Sequence, residues 1–405
     1  MRQRQDRSPE TSLTSSHPTA CAQAAPAPSA SASASAPGAS AGAAPAEVLV
    51  ERHGRVGLLS LNRPQALNAL GLPGVRLITD ALRAWAADPG IVAVVLRGAT
   101  VEGRPPALCA GGDLKFFHRA ALAGDADLEA FFTEEYALNH LIHRYPKPYV
   151  ALMDGIVMGG GMGISQGARW RVLTERSVLA MPETNIGLFP DVGGGWFLAR
   201  CPGHVGEYLA LTGHALHADD AVACGLGDLR VDARQLLGLT ERLLQLRDAQ
   251  DLPETLRAVA RPPGAGELLR TREQVDRHFS APDIGEVMAS LRADASEFAQ
   301  ATLRVLEQRS PLMLGVALEQ VRRARGMRLA DELRMERDIM FHCFHPAGGG
   351  HGDAVEGIRA LVIDKDRKPR WNPARVEQVD PRAVAGFFVS PWPSPAHPLA
   401  ALRDD

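Results

Sequence analysis

Residues 91–96, Ile-Val-Ala-Val-Val-Leu, form an unbroken apolar run. So short a run with no polar side predicts a strand covered on both faces, the pattern of a parallel sheet flanked by helices. The stretch 149–158 repeats the pattern, 177–181 is a third case, and 56–61 reads as a further short strand. Between them, Val75, Ile78, Leu82 and Trp85 recur at helical spacing within 72–86. More helices are predicted at 128–143, 160–168, 191–200, 204–212 and 218–224. Strands alternating with helices imply βα units and an α/β fold built on a parallel sheet. Beyond about residue 230, segments 233–247, 283–308, 311–325 and 328–343 are charged and amphipathic, which predicts a helical C-terminal region packed on the sheet core.

The opening segment has none of this patterning. From Ala24 to Pro45 it is almost entirely Ala, Ser, Pro and Gly, with no bulky side chain to offset its ordering entropy. A disordered leader over residues 1–46 is expected. Arg2, Arg4 and Arg7 admit an organellar transit reading, but Asp6, Glu10 and the prolines spoil the required amphipathic helix. The remainder divides into a core at 47–230, the helical region at 231–378 and a proline-bearing irregular tail at 379–405. A net charge of −3 argues against a dedicated nucleic-acid binder. No stretch of about 18 uninterrupted apolar residues exists, so no membrane span is expected; the best approach, 149–165, is broken by Asp154. Five cysteines without CxxC spacing exclude a disulfide scaffold or zinc ribbon and fit a reducing compartment.

Chemistry is suggested at four places. Cys109-Ala110-Gly111-Gly112-Asp113 precedes a helix, and Met158-Gly159-Gly160-Gly161-Met162-Gly163 joins an apolar strand to another. Glycines at helix starts leave backbone N–H groups bare, and two such spots facing one another form an oxyanion hole. Either run alone reads as a tight βα turn; the pair favours function. Neither matches a P-loop or a GxGxxG fingerprint. The segment Met181–Asp191 sets Glu183 and Asp191 eight residues apart in apolar surroundings, where a carboxyl gains a raised pKa suited to base or nucleophile work. Asp191 reads equally as a helix N-cap before Val192-Gly193-Gly194. Glu134-Glu135-Tyr136 reads locally as acidic residues of a first helical turn. Gly163-Ile164-Ser165-Gln166-Gly167 spells GxSxG, although Ser165 would lie one turn inside a helix. His342, Cys343 and His345 hint at metal but read more simply as a helix end with aromatic packing. Arg322-Arg323-Ala324-Arg325 reads as a solvated helix face.

Taken together, Leu61-Asn62-Arg63-Pro64, Leu67-Asn68-Ala69-Leu70, Cys109–Asp113, the triple glycine and Pro182-Glu183 resemble the crotonase (enoyl-CoA hydratase/isomerase) superfamily. Glu134–Tyr136, Lys147–Ala151, the run from Met181 to Gly194, Glu356–Ala360 and Ile363–Asp366 ending at Trp371 are similar to its 3-hydroxyisobutyryl-CoA hydrolase subgroup. The resemblance spans about 47–378. It implies a crotonase-like spiral of ββα superturns that binds acyl-CoA thioesters, with coenzyme A as part of the substrate and no separate cofactor or metal. It places the oxyanion hole at the backbone N–H groups of Gly112 and Gly160, catalytic carboxyls at Glu183 and Asp191, a substrate contact at Glu135, and the adenine near Ala66 and Ala110. Ordinary hydratases of the family carry a glutamate at the position of Gly163, whereas the hydrolase subgroup has its second acid at 191. The expected reaction is hydrolysis of a short 3-hydroxyacyl-CoA, in the cytoplasm of a bacterium or the mitochondrion of a eukaryote, by a chain that homo-oligomerises in many relatives. Alternatives are a hydratase or isomerase of the same fold, a serine hydrolase through Ser165, and a non-catalytic acyl-CoA-binding protein.

Overall fold

In a computed structural model, residues 46–404 are described except 263 and 265. The expected disordered leader lies outside the described residues apart from Ala46. The strands, in chain order, are β1 Val48–His53, β2 Val56–Leu61, β3 Ala93–Gly98, β4 Ala107–Cys109, β5 Tyr149–Met153, β6 Ile156–Met158, β7 Trp170–Thr174, β8 Val178–Ala180, β9 Leu216–His217, β10 Leu229–Val231 and β11 Ala260–Arg261. They form a seven-stranded sheet, β1-β2-β3-β5-β7-β10-β11, and a four-stranded sheet, β4-β6-β8-β9. Only the pairs at the sheet edges are antiparallel: β1 with β2, β10 with β11 and β8 with β9.

Each superturn sends one strand into each sheet and then a helix. β3 and β4 lead to the helix Leu114–Ala123, and β5 and β6 lead to Gly160–Gln166. The ββα spiral implied by the family resemblance is thus the architecture found. The apolar runs behave as two-sided strands should. In β5, Tyr149, Ala151 and Met153 enter the main core, while Val150 and Leu152 join a second cluster with Leu239 and Leu243 of the helix Leu236–Leu244. Stretch 149–158 differs from expectation, being two strands in different sheets rather than one. Gly155 turns the chain between them at φ +75°, where any Cβ would collide with the Pro106 carbonyl. Asp154, also at the break, is tied to Thr174 and Arg176.

The C-terminal helices brace this core. Segment 283–308 is two helices, Ile284–Ala293 and Glu297–Leu306, divided where Ser296 caps the second through the Ala299 N–H. The helix Leu329–Phe344 packs on Asp127–His143. There buried Arg337 pairs with Glu129, bonds Thr133 Oγ1 at 3.0 Å and faces the Trp392 ring. The Arg322 cluster is not simply solvated: Arg322 donates to the carbonyls of Phe279, Ala281 and Pro282, and Arg325 pairs with fully buried Glu207. Arg359 binds Glu356, Asp364 and Asp366, so the charged motif around 356–366 is a staple for the π-helical turn Arg359–Ile363. The tail contains a short helix, Pro381–Gly386, and buries His397 and Leu399.

The Leu67–Leu70 motif is structural. Asn68 sits at φ +57°, fully buried, accepting from the Arg63 N–H and donating to the carbonyls of Ala99 and Ala107 at 3.0 and 2.8 Å. Asparagine tolerates that left-handed backbone better than most residues. Asn68→Ala leaves a buried carbonyl, a half-buried carbonyl and a half-buried amide without their partner, and is expected to lower unfolding stability by about 2–3 kcal/mol in urea titrations. A shift below about 0.5 kcal/mol, the size of an ordinary surface change, is the contrary result.

Candidate active site

The two glycine turns meet. A Cβ built on Gly160 would stand 3.5 Å from the Gly112 amide nitrogen, and one built on Gly111 would stand 3.8 Å from that of Gly160. Gly111 lies at φ +113° and Gly159 at φ +49°, ψ −120°, both open to glycine and hostile to other residues. The amides are aimed by their neighbours: Leu70 donates to the Gly111 carbonyl, and Asp113 donates back to Leu70. The N–H groups of Gly112 and Gly160 find no acceptor among the described residues. Both glycines line a cavity of about 180 Å³ together with Phe117, Phe132, Glu135, Glu183, Asp191 and Leu361. That volume is well below the roughly 300–1,000 Å³ of drug-sized ligand pockets, so the cavity admits a short acyl group.

Three carboxyls enter it. Glu183 begins the 3-10 turn Glu183–Ile186. Glu135 projects from the middle of the helix Asp127–His143, so the first-turn explanation for Glu134–Tyr136 fails; the first-turn acids are Asp127 and Glu129. Consecutive helical residues point about 100° apart, and these three diverge accordingly. Glu134 pairs outward with Arg76, Glu135 enters the cavity, and Tyr136 donates to Asp191 Oδ2 at 2.8 Å. Asp191 does not cap the helix Gly194–Leu198; Gly193 occupies the cap position. Glu183 Oε1 would lie 2.8 Å from a Cβ on Gly159, and Glu135 Oε1 2.7 Å from one on Gly160. Both acids therefore press on bare backbone where side chains are missing.

Solvent scarcely reaches these acids; Glu183 and Asp191 are each 7% exposed and Glu135 is 2% exposed. Glu135 Oε1 and Glu183 Oε2 have no hydrogen-bond partner among the described residues. Burial, and then the nearby Asp191, push the Glu183 and Glu135 carboxyls well above the usual carboxylate range. Burial lifts Asp191 to about 6, opposed by the Tyr136 hydroxyl, which favours its ionised form. The cluster is thus partly protonated near neutral pH and titrates as a unit.

Position 163 is closed. A Cβ on Gly163 would meet Val192 Cβ at 2.6 Å and Asn139 Nδ2 at 2.8 Å, leaving no room there for a glutamate. Ser165 is wholly buried and donates to the Gly161 carbonyl at 2.7 Å, which removes the serine-hydrolase alternative. Ala110 lines the cavity and donates to the Leu67 carbonyl. Ala66 lies on the exposed turn Pro64–Ala66 and is not among the lining residues. His345 stacks on Phe341 with ring centroids 4.3 Å apart, and His342 bonds the Val389 carbonyl. Sequence reasoning gave no role to Tyr136, Asn185, Phe132 or Leu361, all in or beside the cavity. Nothing local marks Leu361, which lies about 180 residues from Glu183 and arrives only through packing of the C-terminal region.

A family model described as "Enoyl-CoA hydratase/isomerase" matches residues 56–388. The mitochondrial 3-hydroxyisobutyryl-CoA hydrolase of Rattus norvegicus is 40% identical over 352 residues, covering 85% of this chain and 89% of the relative. That of Homo sapiens is 38% identical over 362 residues, covering 86% and 89%. Among solved structures, a carnitinyl-CoA dehydratase from Mycobacterium thermoresistibile is similar at 38% identity and TM-score 0.78, with 85% of this chain and 96% of that one covered. An enoyl-CoA hydratase from Rhodobacter sphaeroides 2.4.1 is similar at 36% and 0.77, covering 85% and 98%.

The buried acids predict a pH signature. Glu183 has an ordinary value of 4.5 and a higher one when folded, so the folded chain binds more protons above that pH and stability falls as pH rises toward the folded value. Histidines depressed by burial (His143, His214, His278) act in the opposite sense, but cancel when wild type is compared with a variant. Glu183→Gln is therefore expected to raise the urea midpoint more at about pH 8 than at about pH 5. An increment equal at both pH values would show that Glu183 has an ordinary pKa.

Proposed function

The chain belongs to the enoyl-CoA hydratase/isomerase family, and from that premise we propose that it hydrolyses the thioester of a short 3-hydroxyacyl-CoA, 3-hydroxyisobutyryl-CoA being the leading substrate. The proposal agrees with the names of the relatives in rat and human. One observation carries it above a hydratase or dehydratase reading, the activities for which the two similar solved structures are named. The second acid beside Glu183 comes from Asp191, held by Tyr136, while the position that bears a glutamate in ordinary hydratases is Gly163, closed by Val192 and Asn139.

In this reading the thioester oxygen accepts from the N–H groups of Gly112 and Gly160. They stabilise the negative charge that develops as the carbonyl carbon becomes tetrahedral. Ionised Glu183 delivers the attack by one of two routes. It takes a proton from a water whose oxygen bonds to the carbon, or its own oxygen bonds to the carbon to give a mixed anhydride that water then opens. Either way the C–S bond breaks, the coenzyme A thiolate leaves and is protonated, and the acid is released. Asp191 and Glu135 orient the substrate β-hydroxyl or the water. The apolar walls keep bulk solvent out, which strengthens each of these interactions. Among the described residues no helix is long and apolar enough to cross a membrane; the reaction belongs to the cytoplasm if the source is a bacterium, and to the mitochondrion, as in the rat and human relatives, if it is a eukaryote.

The test is free-thiol release from 3-hydroxyisobutyryl-CoA and a panel of short acyl-CoAs. Glu183→Gln is expected to lower kcat by about 10²–10⁴-fold; an unchanged rate removes Glu183 from the chemistry. Because the cluster must lose protons to work, kcat/KM is expected to climb with pH through a limb at or above about 6, the value to which Asp191 is lifted. Faster turnover of crotonyl-CoA to its hydrated product than of any thioester to free thiol would favour the hydratase reading.

A further inference from the structure

A second pair of buried acids lies behind the first cluster. Glu332 and Glu336 stand four residues apart on one face of the helix Leu329–Phe344, both fully buried. Above them runs the Pro190–Gly195 loop that carries Asp191. Glu336 Oε2 accepts the Gly193 N–H at 2.7 Å, and Oε1 accepts the Gly195 N–H at 3.2 Å. Gln320, from the helix Pro311–Ala324, donates Nε2 to Glu336 Oε1 at 3.0 Å and to the Pro190 carbonyl at 2.7 Å. Glu332 shares a hydrogen bond with Glu336. Side chains from two C-terminal helices therefore grip this short loop at three backbone positions.

The loop needs a grip. Val192 lies at φ +57°, a conformation that β-branched residues avoid because Cβ crowds the backbone. In that strained state Val192 packs against Gly163, and its neighbour Asp191 meets the Tyr136 hydroxyl. Released, the loop would relax toward ordinary backbone angles and carry Asp191 away from Tyr136.

We propose that Glu336, braced by Gln320, is the positioning residue that holds the strained 190–195 loop and so sets Asp191 in the cavity. The inference rests on the role of Asp191 in the thioester hydrolysis proposed above. Two touching carboxyls cannot both ionise in a site this dry, so the pair holds one proton. Glu336 accepts from the two amides and from Gln320. The charged or titratable groups facing the pair are Asp191 from the loop, Tyr136 from the helix Asp127–His143, and Arg200, which follows the helix Gly194–Leu198.

The test compares thiol release by wild type, Asp191→Asn, Glu336→Gln and Gln320→Met across a pH series, with folding checked by melting. A glutamine at 336 has only one acceptor oxygen for the two loop amides. Glu336→Gln is expected to lower kcat about 10–100-fold with KM held within about threefold. Gln320→Met removes one arm of the brace, so kcat should fall about 3–10-fold with KM likewise held. Wild-type kcat in Glu336→Gln, or a loss carried by KM rather than kcat, overturns the proposal. If Glu336→Gln does not fold, wild-type kcat in Gln320→Met overturns it instead. Should Asp191→Asn keep full activity, the functional reading fails at Asp191 and the positioning role falls with it; an inert Asp191→Asn beside a normal Glu336→Gln removes the positioning role alone.

Discussion

Three carboxyls face one small cavity, and among the described residues no ion pair reaches any of them. Burying acids without a cation is expensive unless they stay protonated or find donors. Among the described residues only Tyr136 supplies a side-chain donor, and it serves Asp191. Glu135 and Glu183 each leave an oxygen unpartnered, a condition that a packed interior ordinarily avoids. The surrounding structure is arranged so that this cluster persists. Glycines at 159 and 160 make room for the two glutamates, Val192 and Asn139 shut position 163, and the loop bearing Asp191 is tied down from behind.

The ββα spiral explains why these groups converge. Strands of the smaller sheet end at Cys109, Met158 and Ala180, and the loops leaving those ends carry Gly112, Gly160 and Glu183. Parallel neighbours place their C-terminal ends on one side, so three segments far apart in sequence open onto the same space. The C-terminal helices contribute nothing to the sheet, yet they decide the shape of the site. Arg337 fixes the helix that carries Glu135 and Tyr136. The Arg359 staple sets the turn that brings Leu361 over the cavity.

Some expectations failed for a common reason. The 149–158 run looked like one strand because hydrophobicity cannot show that the chain changes sheets; only the Asp154-Gly155 turn does so. Glu134–Tyr136 looked like first-turn acids because local charge suits a helix start, although the helix, read at 128–143 and found at Asp127–His143, puts them mid-helix. Arg322 and Arg325 looked solvated because their partners, three carbonyls and Glu207, are distant in sequence. Glu332 and Glu336 occupy the buried stripe beside Leu329, Leu333 and Met340. Two acids on an apolar stripe were a visible signal, but a charged amphipathic helix absorbs them without comment. The same limit applied to Asp191, whose local sequence suited a helix cap as well as it suited chemistry.

The amino-acid sequence alone determined the parallel α/β core, the two bare glycine turns and the acids at 183 and 191, because apolar periodicity and glycine conformational freedom are properties of short segments. The family resemblance extended that reading to the ββα spiral and to Glu135. Tertiary structure alone decided which way Glu135 and Asp191 face, that position 163 has no space, and that the 190–195 loop is held in strain by Glu336 and Gln320. Those outcomes depend on contacts between separate segments, from Tyr136 and Asp191, 55 residues apart, to Gly193 and Glu336, 143 apart. Such contacts become favourable only after the core has assembled around them.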